Sequence, residues 1–240
     1  MHRIFAICAT LALAACSQKP EPAASTAAAP PPAAPAAVAE APVDVPAGAY
    51  SIDLSHTSVL FRVDHLGFSN YTARFRKSDA KLQFDPNNLA ASSLTATVFA
   101  NSLETDFPDV AKHDFNQQLL GEEWLNGAKF PEITFRSTSV EPSGARTMRI
   151  NGELTLRGVT RPMVLDATFN GGYAGHPMDK NARVGFSAHG VLKRSDYGMT
   201  FGIPEAGSKM GVSDAVNVII ETEFSGPAWT PPEQAPASGA

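Results

Sequence analysis

Six histidines, two cysteines and 24 acidic residues are the side chains in this 240-residue chain with the most obvious capacity for chemistry. Their spacing argues against bond-making. The chain has no Gly-x-Ser-x-Gly elbow, no His-Glu-x-x-His pair and no glycine-rich phosphate cradle, so the usual sequence marks of hydrolases, zinc proteases and nucleotide-binding enzymes are missing. Serines are plentiful, yet sequence alone pairs none of them with a histidine. His113 follows Asp109 by four residues, which on a helix puts both on one face where they could clip a metal ion. Two donors are too few for a site, and the other histidines show no ligand spacing. The expectation is therefore a protein that is not an enzyme and holds no metal. The formal charge of −5 is mild and unclustered, which speaks against a nucleic acid as partner.

Of the two cysteines, Cys16 has the more telling setting. It closes Leu13-Ala14-Ala15-Cys16 after a basic start (His2, Arg3) and an apolar stretch from Ile4 to Ala15. This reads as a secretion signal, and it is shorter than the roughly 20 apolar residues that span a bilayer. It resembles a bacterial lipobox, in which the cysteine is lipidated and becomes the new N-terminus. The resemblance implies that residues 1–15 are removed, that Cys16 carries lipid, and that the mature chain keeps no free thiol for catalysis, metal binding or redox exchange. Ser17 stands where the sorting pattern of Gram-negative lipoproteins reads aspartate as inner-membrane retention. The expected location is the cell envelope, periplasm-facing, with the outer membrane favoured. Residues 16–48 then form an Ala/Pro-rich tether with almost nothing able to enter a core. Residues 227–240 are again rich in Pro and Ala and are expected to form a disordered tail. The intervening 49–226 suffices for one domain with a substantial core.

Within that domain the dominant pattern is alternation with period two, the mark of strands with one buried face. Val59, Phe61 and Val63 alternate with Leu60, Arg62 and Asp64, and the pattern recurs at Tyr71–Phe75, Leu94–Ala100, Met163–Phe169, Val184–Ala188 and Val216–Phe224. One wet face and one apolar face favour an antiparallel sheet. The segment from Asp109 to Asn126 departs from this, and its apolar residues suit a helix broken near Gly121. Many strands with one short helical insertion point to an all-β fold closed into a barrel, which removes exposed edges. A barrel of eight strands is either filled by its own side chains or holds one small ligand.

The ordered segments Tyr50-Ser51-Ile52-Asp53, Val63-Asp64-His65-Leu66-Gly67-Phe68-Ser69, Ser102-Leu103-Glu104-Thr105, Gly152-Glu153-Leu154-Thr155-Leu156-Arg157-Gly158, Arg194-Ser195-Asp196-Tyr197-Gly198-Met199 and Val212-Ser213-Asp214 resemble the YceI-like family, the polyisoprenoid-binding, lipocalin-like proteins of bacterial periplasms. The resemblance implies an antiparallel eight-stranded lipocalin-like barrel whose interior holds the tail of an isoprenoid or another long-chain amphiphile. Some relatives are associated with membrane cytochromes and quinones. A quinone-like lipid, and a membrane cytochrome or quinone-handling partner, are expectations on that ground, with no resident cofactor.

Strand phase and the resemblance together place Phe61, Val63, Phe75, Phe84, Phe135, Phe169, Phe186, Val218 and Ile220 in a lipid tunnel. His65 continues the phase of Phe61 and Val63 and could meet a head group at the barrel mouth, or be a hydrogen-bonded strand-end histidine. Arg194 and Asp214 could bind a phosphate or carbonyl, or could close the barrel by pairing with backbone or each other. Gly158 with Thr160-Arg161-Pro162 reads as a tight hairpin with an arginine staple. The alternatives are a structural or stress-related interaction lipoprotein with a packed barrel, and a hydrolase of unrecognised geometry.

Overall fold

The structure is a computed structural model that describes residues 44–230. Cys16, the signal, the tether before Asp44 and the tail from Pro231 lie outside the described residues. The alternating segments form ten strands: β1 (Gly48–His65), β2 (Ser69–Phe75), β3 (Ser78–Phe84), β4 (Ser93–Phe99), β5 (Leu103–Glu104), β6 (Glu132–Pro142), β7 (Thr147–Leu156), β8 (Val159–Tyr173), β9 (Asn181–Lys193) and β10 (Val212–Ala228). All pair antiparallel, in the order β10-β9-β8-β7-β6-β4-β3-β1, and β1 returns to β10. That closes an eight-stranded barrel without a free edge around the ring.

Two-residue turns drive two of the hairpins. Leu66 and Gly67 both have positive φ (58° and 71°), and the Phe68 amide donates to the His65 carbonyl at 2.9 Å. Arg157 and Gly158 repeat the geometry (φ 53° and 73°) between β7 and β8. Paired positive φ matches the twist of the flanking strands, and glycine takes its position at no steric cost. The staple at this hairpin is Arg157 and not the expected Arg161: the Arg157 guanidinium donates to the carbonyls of Glu122 (2.9 Å) and Trp124, whereas Arg161 reaches the Asp196 carbonyl only at 3.4 Å.

β1 is bent where it changes partner. Its upper part, Val59–His65, pairs with β2, and its lower part, Gly48–Ser51, with β3. The register against β10 slips between Asp53 and Ser58, so the chain from Leu54 to Thr57 bulges out of the ladder. The Asp53 carboxylate accepts from the Ser55 amide at 2.9 Å, and the Thr57 hydroxyl donates to the Asp53 carbonyl at 2.7 Å. The bulge lets one long strand serve both halves of the barrel.

The expected long helix is only α1 (Phe115–Leu119), whose N-cap Asp114 accepts from the Gln117 amide at 3.0 Å. Turns replace the rest, since Phe115, Leu119, Trp124 and Leu125 face the cavity at the barrel mouth while Val110 stays exposed, which no single helical stripe provides. Both domain boundaries also move outward. Val45, expected in the tether, is 5% exposed and belongs to the core, while the Tyr50 hydroxyl donates to the Pro46 carbonyl at 2.6 Å. At the other end β10 runs to Ala228, the Trp229 amide donates to the Lys180 carbonyl at 2.6 Å, and the Lys180 ammonium lies 5.1 Å from the Trp229 ring. Residues 227–229 are therefore part of the fold.

Candidate functional site

The interior is unequally filled along the barrel. At the lower end, where β1 begins and β10 finishes, Phe84, Phe169 and Phe186 stack on one another with ring centroids 5.4–5.6 Å apart. Phe224 joins them at 6.2 Å from Phe186, and Tyr50 at 6.2 Å from Phe84. All five are buried, between 1% and 9% exposed. In the upper half, inward-facing residues such as Val59, Phe61, Val218 and Ile220 are only partly buried, because they face empty space: a cavity of about 480 Å³. That lies within the roughly 300–1,000 Å³ of ordinary small-ligand sites.

Strand phase placed six of the nine expected tunnel residues on the cavity wall: Phe61, Val63, Phe75, Phe135, Val218 and Ile220. Phe84, Phe169 and Phe186 are corrections. They point inward as expected, but at the level of the aromatic plug, so they close the floor instead of lining the void. The roof comes from the insertion: Phe107, Phe115, Leu119, Trp124 and Leu125 all face the cavity. None of these was singled out from sequence as a binding residue. For all but Phe107, which precedes it, the signal was the apolar content of 109–126, legible as packing but not as a lid over a particular space.

The polar residues separate into three roles. His65 lies on the wall and is also exposed, so the cavity meets the surface beside it. Arg194 is 3% exposed and on the wall. Its guanidinium donates from Nε to the Ser213 carbonyl (2.9 Å), from Nη1 to Phe201 (3.0 Å) and from Nη2 to Val212 (2.6 Å), and it lies 5.3 Å from the Trp124 ring. Burial pushes the Arg194 guanidinium below its ordinary range, and Asp214 opposes this in part.

Asp214 is the third case: it does not line the cavity, and of its two expected roles it takes the structural one. A register shift between Val63 and His65 on β1 spreads their β10 partners, Val216 and Val212, apart, and this breaks the alternation at Asp214. Its carboxylate accepts instead from the Ser195 amide (2.8 Å) and hydroxyl (2.7 Å), tying the turn after β9 to β10. Arg194 and Asp214 thus support the mouth together: the Arg194 amide donates to the Asp214 carbonyl at 2.8 Å, while the guanidinium holds three further carbonyls and the carboxylate holds the Ser195 turn.

At the His113 pair both side chains have other partners: the ring bonds Gln118 at 2.6 Å, and Asp109 pairs with Lys112 at 2.7 Å. A second grouping, Asp53, His56 and Glu223, has ligand atoms within 4.8 Å of one another on the outer surface. Arg183 already holds Asp53 there at 2.6 Å, so a cation would compete with a guanidinium. The His56 hydrogen bond first, with the Ser55 amide and Arg183 adding to it, holds the Asp53 carboxyl down to about 2.

A closed eight-stranded antiparallel barrel with this order of motifs has known counterparts. Residues 50–224 match the YceI-like domain. The chain belongs to the YceI-like family. A protein named YceI from Salmonella arizonae is 37% identical over 179 residues, covering 74% of this chain and 86% of the relative. A UPF0312 protein of Vibrio cholerae is 33% identical over 190 residues, covering 78% and 93%. Among solved structures, the Campylobacter jejuni YceI protein is 28% identical with a TM-score of 0.57, covering 68% of this chain and 90% of that one. The Burkholderia cenocepacia protein BcnA shares the fold at 22% identity and a TM-score of 0.61, covering 72% and 98%.

Proposed function

We propose that this YceI-like protein binds the apolar tail of an isoprenoid or another long-chain amphiphile in the upper half of its barrel, and stores or shuttles it at the cell envelope. The observation that carries this reading is the cavity of about 480 Å³, walled by inward-facing aliphatic and aromatic side chains above a packed floor. Each buried methylene contributes about 0.8 kcal/mol, while association costs an estimated 4–15 kcal/mol. A short apolar molecule therefore binds weakly, and a long tail binds tightly. The function is burial, not bond-making.

The polar end of the ligand belongs near His65 and Arg194. A guanidinium has five N–H donors; three of those of Arg194 are engaged by backbone carbonyls, and the others suit a carbonyl or phosphate oxygen. A lipid on Cys16 would hold the protein on the envelope membrane, facing the periplasm. Replacing Cys16 with Ser is expected to abolish acyl labelling and give a soluble or uncleaved form.

Trp124 gives a direct test of the ligand. The chain has two tryptophans, Trp124 on the cavity wall and Trp229 at the opposite end. In a Trp229→Phe chain freed of lipid, a prenylated quinone is expected to quench emission saturably, one per chain, and a prenol of equal tail length to compete. Absence of saturable quenching, with no competition by the prenol, would overturn the proposal.

A further inference from the structure

The mouth carries apolar side chains that the barrel does not bury. Phe68 is 80% exposed, Met210 74% and Phe201 50%, far above what burial in a core leaves. They come from two loops that touch. The Leu66 amide donates to the Gly211 carbonyl at 2.9 Å, a Cβ on Gly67 would meet the Lys209 side chain at 2.9 Å, and the Val212 amide donates to the Gly202 carbonyl at 2.8 Å. The Phe201 ring lies 5.6 Å from Trp124 on the cavity wall. The patch also adjoins the opening, because Phe68 follows the His65 turn directly and His65 is an exposed wall residue at this end.

We propose that Phe68, Met210 and Phe201 dock this rim on a phospholipid bilayer surface, so that the lipid tail passes between membrane and cavity without crossing water. The inference rests on the lipid-binding reading above. Exposed aromatic and methionine side chains beside one lysine suit the boundary between headgroups and acyl chains, where the ammonium can reach outward while its stem stays apolar. A cavity with an apolar wall takes cargo that resides in a bilayer, and exposing that cargo to water in transit would forfeit the burial that holds it.

The geometry of attachment permits this contact on the anchor's own membrane. The described chain begins at the lower end with Val45 in the core. Between Cys16 and Asp44 lie 27 residues, able to reach at most about 90 Å. The 18 residues of β1 rise roughly 60 Å along the strand and about 45 Å along the axis of a barrel tilted by about 40°. The tether is therefore long enough to let the far rim turn back to the membrane that holds it.

The test uses the chain from Ser17 onward, which lacks both Cys16 and the apolar stretch Ile4–Ala15 so that neither contributes, and flotation with phosphatidylcholine vesicles. This chain is expected to float with vesicles. Adding Phe68→Ser and Met210→Ser should lower the bound fraction by about tenfold or more, with an unchanged unfolding curve since both side chains are exposed. Met178→Ser, at a position 93% exposed at the lower end, should leave flotation unchanged.

Failure of the parent to float, equal flotation of the rim variant, or equal loss in the Met178 control overturns the proposal. So does a dimer in sedimentation without vesicles that the rim substitutions dissociate, since the rim would then join two copies. Prenol delivered in ethanol and read through Trp124 emission separates the two claims. Loading without flotation rejects the rim and leaves the carrier reading standing, whereas flotation without loading supports the rim and rejects the carrier.

Discussion

Replacing Val218 with phenylalanine adds four carbons to a side chain that faces the void. At roughly 30 Å³ for each non-hydrogen atom, the share of one water in the liquid, they occupy about 120 Å³. That is about a quarter of the 480 Å³ cavity. Because the ring enters empty space, the delipidated variant should unfold at the parent's denaturant concentration or above it. The ligand should lose room for about four carbons of tail, worth about 3 kcal/mol at 0.8 kcal/mol per methylene, or roughly 100-fold in affinity. Chemical unfolding of delipidated protein, which keeps bound ligand from raising apparent stability, is paired with Trp124 quenching titrations. Destabilisation by about 1–3 kcal/mol, the ordinary cost of overpacking, would show that the upper half is filled. Unchanged affinity would show that the tail lies elsewhere.

The lower half should respond in the opposite way: Phe186→Ala is expected to cost about 3–5 kcal/mol in denaturant unfolding, because it opens a hole among Phe84, Phe169 and Phe224. Arg194→Met removes the donors to the carbonyls of Phe201, Val212 and Ser213, and at about 1–3 kcal/mol for each unsatisfied buried group should lower stability by at least about 3 kcal/mol, with hydrogen exchange rising first in residues 198–212. A chain starting at Pro46 loses the buried Val45 and should melt below one starting at Asp44, by about 1.5–3 kcal/mol of lost burial. Asp53, held from 3.8 down to about 2, contributes stability that is present above about pH 4 and lost as pH falls through about 2. Melting curves of Asp53→Asn across that window should be flatter than the parent's.

Strand phase was legible in the sequence because side chains alternate, and a buried face imposes its pattern wherever the barrel is. Val59-Phe61-Val63 and Val216-Val218-Ile220 point inward as read. Axial height was not legible. Whether an inward phenylalanine lines a void or fills a plug depends on register between segments far apart in the chain. Phe84, Phe169 and Phe186 come from three different strands and meet only when the ring closes.

Asp214 shows a second limit. The register shift opposite His65 breaks the period-two rule, and no residue between Val212 and Val216 announces it. The roof escaped for a third reason: Phe107, Phe115 and Trp124 share neither a helical nor a strand period, since Phe107 and Trp124 converge on the cavity from irregular chain on either side of the short helix that carries Phe115. The hairpin at Gly158 was legible from its glycine and forms a paired-positive-φ turn with Arg157, whereas the matching turn at Leu66 and Gly67, beside His65, was not read as one.

The claim that the upper barrel is a lipid site is tested most directly by native mass spectrometry of the full chain purified from its own host, with extraction and identification of whatever it carries. The account predicts one long-tailed amphiphile per chain, retained by the parent and depleted in Val218→Phe. A chain that carries no lipid and takes up no prenol or prenylated quinone when these are supplied would contradict it.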